Sequence, residues 1–186
     1  MRRVLVIVAA AVFALSTVFA GPALADTTRS AFQLHIADAF LQQAAGSPPF
    51  AIAMADNGDT VSIQGSGAID ASTGSANASG VFIHHMVATG QDVHGTWTAS
   101  RLISFQFYGC GSDGVPSNFC GGLAKLDATL TPDAQPSVHL PSTLWVDCLI
   151  GTKVPAGRAE GVRLNVRDVI NFNHTEESGF TLFVMQ

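Results

Sequence analysis

Apolar and polar residues alternate one by one along most of this chain, and that period of two constrains its fold more than any motif does. Around the middle of the chain Trp97, Ala99, Ile103, Phe105 and Phe107 share one parity, while Thr96, Thr98, Ser100, Ser104 and Gln106 hold the other. Successive side chains of an extended strand point to opposite faces, so a run of this kind buries one face and wets the other. The same alternation recurs in Phe32, Leu34 and Ile36; in Phe50, Ile52 and Met54; and from Val61 and Ile63 on to Ile69. Further along it returns in Ala124, Leu126, Ala128 and Leu130; in Leu144, Val146, Cys148 and Ile150; in Val162, Leu164 and Val166; and in Phe180, Leu182 and Val184. Short turn segments separate these runs. Asp56-Asn57-Gly58-Asp59 is the strongest of them and predicts a hairpin with a primed turn, since Asn-Gly accepts positive φ angles. Only Asp38 to Ala45 could be helical.

The pattern predicts an all-β domain: an antiparallel meander of about nine strands forming a small barrel, with a two-sheet β-sandwich as the alternative. Gly65 and Gly67 fall on one face of a strand, where missing side chains permit the sharp bend of a barrel wall or sheet corner.

Before this domain comes a segment of another kind. Residues 1–25 begin with Arg2 and Arg3, run through apolar residues from Val4 to about Ala20, break at Gly21-Pro22 and end in Ala23-Leu24-Ala25. A charged start, an apolar middle and an A-x-A end are the parts of a secretory signal peptide of bacterial appearance, helical in its apolar stretch, with cleavage expected after Ala25. Residues 26–186 are then a single secreted all-β domain with no stable membrane insertion after cleavage, because the apolar run is at the bottom of the length a spanning helix needs. Losing Arg2 and Arg3 takes the net charge from −5 to −7. Charged residues make up only 12% of the chain and no Lys/Arg cluster occurs, so the electrostatic footprint of a nucleic-acid partner is missing.

In an exported chain paired cysteines oxidise, and three leave one over. Cys110 and Cys120 flank a Gly/Ser/Pro/Asn segment that reads as a loop, so a disulfide between them is expected to staple it. Cys148 shares the parity of Leu144 and Val146 and is expected to stay free and buried as a small hydrophobe; a Cys148 bridge to one of the loop cysteines, or no bridge at all, are the alternatives.

Chemical motifs fail on context. Gly109-Cys110-Gly111-Ser112-Asp113-Gly114 matches the dinucleotide fingerprint but has no helix after it, so no cofactor is implied. The Cys and His spacings suit no metal. Adjacent His84 and His85 must point to opposite sides of a strand. Arg101 interrupts the apolar parity of Ala99 and Ile103, so either a bulge turns it outward or it meets an anion inside. The second option would make Arg101, with His84 or His85, a polar spot in a cavity mouth for an anionic or amphipathic small ligand.

Three functions follow as expectations, with the catalytic residues unknown. The first is a secreted, non-catalytic β-domain that binds a small molecule or a cell-surface partner. The second is a secreted barrel enzyme of isomerase or lyase type that uses Arg101 with His84 or His85. The third is a cell-envelope or adhesion component presenting Trp145, Leu149 and Phe183, which lie opposite the expected core parity.

Overall fold

A computed structural model describes residues 30–111, 114–176 and 178–186. The signal peptide expected over residues 1–25, with its helix, lies outside them. Among the described residues the order of elements is β1 (Ala31–Ile36), α1 (Ala39–Ala45), β2 (Ala51–Met54), β3 (Thr60–Asp70), β4 (Ser75–Met86) and β5 (Gln91–Cys110). Then follow β6 (Phe119–Pro132), β7 (Leu140–Cys148), β8 (Gly161–Val166), β9 (Ile170–Phe172), β10 (His174–Thr175) and β11 (Thr181–Met185). All eleven strands belong to one sheet, and every pairing is antiparallel. No helix among them is long and apolar enough to cross a membrane.

Consecutive strands pair from β2 through β9, but two long strands also change neighbours part-way. β3 pairs along its whole length with β4; its other edge pairs with β2 up to Ile63 and with β1 from Gly65. β6 likewise keeps β5 on one edge, while the other serves β11 at Phe119 and Cys120 and β7 from Gly122. With the β1–β11 pairing, the path β3, β4, β5, β6, β11, β1 leads back to β3. At the first switch Gln64 bridges the parting strands, its Nε2 donating to Pro49 O at 3.0 Å. Its own carbonyl accepts from Trp97 Nε1 at 3.0 Å. Gly65 and Gly80, opposite each other, leave room for that indole: a Cβ on Gly80 would come within 2.7 Å of Trp97 Nε1.

The buried face follows the period-two pattern over most strands. Phe32, Leu34 and Ile36 of β1, Ala124 to Leu130 of β6 in alternation, Leu144 and Val146 of β7 and Leu164 of β8 all meet in one core. The helix forms where expected: Asp38 caps it by accepting from Leu41 N at 3.1 Å, and Gly46 ends it in the left-handed region. The β2–β3 hairpin is present as well. Its loop uses one positive-φ residue, Gly58, rather than the two that a primed type I turn needs, and Asn57 instead accepts Asp59 N–H at 3.1 Å.

Three expectations need correction. β4 was not among the alternating runs, because its inward positions Ala76, Ala78 and Gly80 give almost no hydrophobic contrast. In β5 the parity does not persist to Phe107: register shifts fall between Ala99 and Arg101, Leu102 and Ser104, and Phe107 and Gly109. Leu102 and Tyr108 are consequently buried, while Ile103 is 44% and Phe107 38% exposed. Phe183, expected on an outer apolar patch, is fully buried, because its register opposite Leu34 turns it inward against Phe32 and Phe105. Leu182 on the other side of β11 is buried too, beside α1.

The cysteines stand as expected. Cys110 and Cys120 are cross-strand neighbours joined by a disulfide at the closed end of the β5–β6 hairpin, and Cys148 is free and buried.

Candidate functional site

The structure does not bring Arg101 together with His84 or His85. Arg101 lies opposite Ser75 at one end of β4, whereas His84 lies towards the other end opposite Val93, about 30 Å away at the usual strand rise. The bulge after Ala99 turns the guanidinium outward, where Nη2 donates to Asp127 Oδ2 at 2.8 Å. Arg167 approaches the other oxygen of the same carboxylate at 3.9 Å. His85 is on the surface and pairs with Asp92 at 2.7 Å. His84 is the more enclosed of the two. Its Nε2 donates to Asp59 at 3.2 Å and its ring stands edge-on to Phe172, in an apolar recess of only about 60 Å³. Asp59 is held below the usual carboxylate range, chiefly by accepting the Val87 N–H.

A different region concentrates buried polar groups beside a cleft. The chain between β7 and β8, residues 149–160, folds back over the end of β5 and is tied there by Lys153 N donating to Tyr108 O at 2.9 Å. Beneath it Asp147 is 2% exposed. Arg158 from the overlying segment makes an ion pair with Asp147, and Arg163 of β8 stands 3.9 Å from the same oxygen. The Tyr108 hydroxyl lies in the same buried pocket beside the Asp147 carboxylate and the Arg158 guanidinium. Burial raises the pKa of Asp147 despite the opposing charge of Arg158. The phenol of Tyr108 is raised by burial and then by the Asp147 charge.

Glu160 closes the segment. Its Oε1 accepts from Thr181 N at 3.2 Å, while Thr181 Oγ1 donates to Asp147 O at 2.8 Å, so β11, β7 and the covering segment are laced together. Burial, with the Asp147 charge adding to it, raises Glu160 above the ordinary carboxylate range. The adjacent Cys148 thiol is pushed up to about 12 by burial and stays protonated, which leaves it without nucleophilic character.

Arg158 and Glu160 line a cleft of about 550 Å³, whose apolar walls include Pro48, Leu149 and Phe180. Arg158 and Thr175 also line a smaller recess of about 240 Å³ that opens onto Arg163 and His174. On the far side, Glu160 and Phe180 border a third recess of about 350 Å³ against Leu41 of α1 and Phe119. Three linked depressions therefore run from a cationic end to an apolar one. Among the described residues no cluster of His, Cys, Asp and Glu is arranged to hold a metal ion.

Comparison with known protein families, with curated proteins and with solved structures finds no match to this chain. The site consequently rests on its geometry. Sequence reasoning missed Asp147, Arg158, Glu160 and Tyr108. Asp147 has the polar parity of β7 and reads as a solvent-facing strand residue; only the segment folded over it makes it buried.

Proposed function

We propose that the chain is an exported, non-catalytic small β-barrel domain that holds an amphipathic small molecule with an anionic head in the Arg158 cleft. The pairing path that leads back to β3 supports the barrel. The leader-like start of the sequence and the Cys110–Cys120 disulfide support export. The observation that carries the ligand reading is the position of Arg158: it lies where an apolar cleft meets a cationic recess, so one guanidinium touches both environments. A ligand with its apolar body on Leu149 and Phe180 and its anion towards Arg158, Arg163 and His174 would satisfy both.

The test is calorimetric titration of the folded domain with dodecanoate. Saturable binding is expected, with at least a tenfold loss of affinity in Phe180→Asp. Because Phe180 is 43% exposed, that change should leave the melting temperature within about 2 °C. A wild-type protein that ignores dodecanoate, or a Phe180→Asp variant that binds it equally well, overturns the reading.

A further inference from the structure

The basic residues of this acidic chain are segregated. No Lys or Arg occurs between Arg29 and Arg101, and every later one lies between Arg101 and Arg167. Strand register gathers Arg101, Lys125 and Arg163 on the outer face of β5, β6 and β8, and Arg167 directly follows β8. Lys125 stands opposite Trp145, and Trp145 opposite Arg163, so the three form one row across three strands. At the usual strand spacing that row is about 10 Å long. In the next row Arg101 lies opposite Asp127, Asp127 opposite Thr143, Thr143 opposite Asn165 and Asn165 opposite Asn171. The alternate residues of the same strands, among them Ala124, Leu144 and Leu164, are buried in the core, which fixes both rows on the outside.

Charge on this face is unbalanced. Arg101 and Arg167 share the single carboxylate of Asp127, and their side chains are 61% and 59% exposed. Asp147 on the same strand face is buried against Arg158, and Asp168 lies in the β8–β9 turn. Lys125 places its ammonium 5.8 Å from the Trp145 ring centroid, and beside that ring a shallow depression of about 200 Å³ is lined by Arg163, Asn171 and Asn173.

We infer that this outer face is an interaction surface for an acidic polysaccharide. The chemistry is complementary on three counts. Guanidinium groups bind carboxylate or sulfate in a bidentate fork. The Asn and Thr side chains both donate to and accept from sugar hydroxyls. The Trp145 face offers an apolar platform with a polar edge. An exposed sheet face suits a polymer laid across it better than an enclosed small molecule. The net negative charge of the whole chain, −5, disfavours a densely charged polyanion such as nucleic acid and tolerates a glycan with charges spaced further apart.

Affinity electrophoresis of the folded protein through gels containing polygalacturonate, neutral dextran or single-stranded DNA tests this. Retardation by polygalacturonate and not by dextran is expected, and it should weaken as salt is added. Trp145→Ala should weaken the apparent affinity at least tenfold. The double change Arg101→Glu and Arg167→Glu, at two exposed side chains that leave the core intact, should abolish retardation. Phe180→Asp, at the apolar wall of the Arg158 cleft, should leave it unchanged. Three outcomes overturn the inference: no retardation by polygalacturonate, retardation that survives the double charge reversal, or equal retardation by DNA, which would mark a merely cationic surface.

Discussion

The two halves of β5 run along the same partner strand and obey different rules. From Gly95 to Ala99 the strand is regular: Trp97 and Ala99 face the core opposite Leu130 and Ala128, and the residues between them face water. From Arg101 to Cys110 three register shifts interrupt it, each changing which parity faces inward. The first shift puts Arg101 on the outer cationic face, and the last buries Tyr108 beside Asp147. Both regions argued to bind a partner thus depend on the irregular half, while the regular half builds only core. The contrast teaches that in this sheet the bulge, rather than the loop alone, is the device that re-aims side chains.

The comparison can be broken most directly at its aromatic residues. Trp97→Ala removes a fully buried indole from the regular half and should cost about 3–5 kcal/mol, whereas Phe107→Ala in the bulged half should cost about 1 kcal/mol because that ring is 38% exposed. Denaturant unfolding measures both; equal costs would mean that the bulged half is packed as tightly as the regular one. The end of the bulged half is held by the Cys110–Cys120 disulfide, which closes a short hairpin loop. Replacing both cysteines by alanine should remove about 2–3 kcal/mol, most of it through the freed unfolded chain. A loss below about 1 kcal/mol would show that the hairpin holds its ends together without the bond. Arg101→Ala should change stability by less than about 0.5 kcal/mol, since its pair with Asp127 is exposed.

How far the sequence revealed this molecule depended on whether local pattern or tertiary covering decided a residue's surroundings. Leu144, Val146 and Cys148 were legible because three alternate apolar residues on one strand leave little doubt about which face is buried. The disulfide was legible because a Gly/Pro/Asn loop between two cysteines brings their strands into register. β4 was hidden by small inward residues, which carry no contrast. Phe183 was misread because both faces of β11 are covered, one by the core and one by α1 and the segment before β8, so its alternation reports nothing. Arg101 could be placed only by knowing the bulge. The candidate cleft was the least legible part: Asp147 is an ordinary acid until residues 149–160 fold over it, and Glu160 is one until that fold sets it against Thr181 of β11.

That covering also gives the smallest and most selective expected effect. Glu160 has a folded-state pKa raised above its ordinary value of 4.5, mainly by burial. Below that value both folded and unfolded chains are protonated at this site, and the buried neutral carboxyl imposes no penalty. As pH rises, the unfolded chain releases its proton first, so the folded state loses relative stability until pH has passed the raised value, after which the loss is constant. Glu160→Gln keeps an oxygen to accept the Thr181 N–H and cannot ionise. The melting temperature of this variant relative to wild type should therefore be higher at pH 7 than at pH 4. Taking the difference between the two proteins cancels the opposite trend of Asp59 and Asp70, whose lowered pKa values favour the folded state as pH rises. Calorimetric scans of both proteins across that range measure the difference. A difference that does not change with pH would mean that Glu160 is as well solvated as a surface acid and that residues 149–160 do not fold over Asp147 in solution.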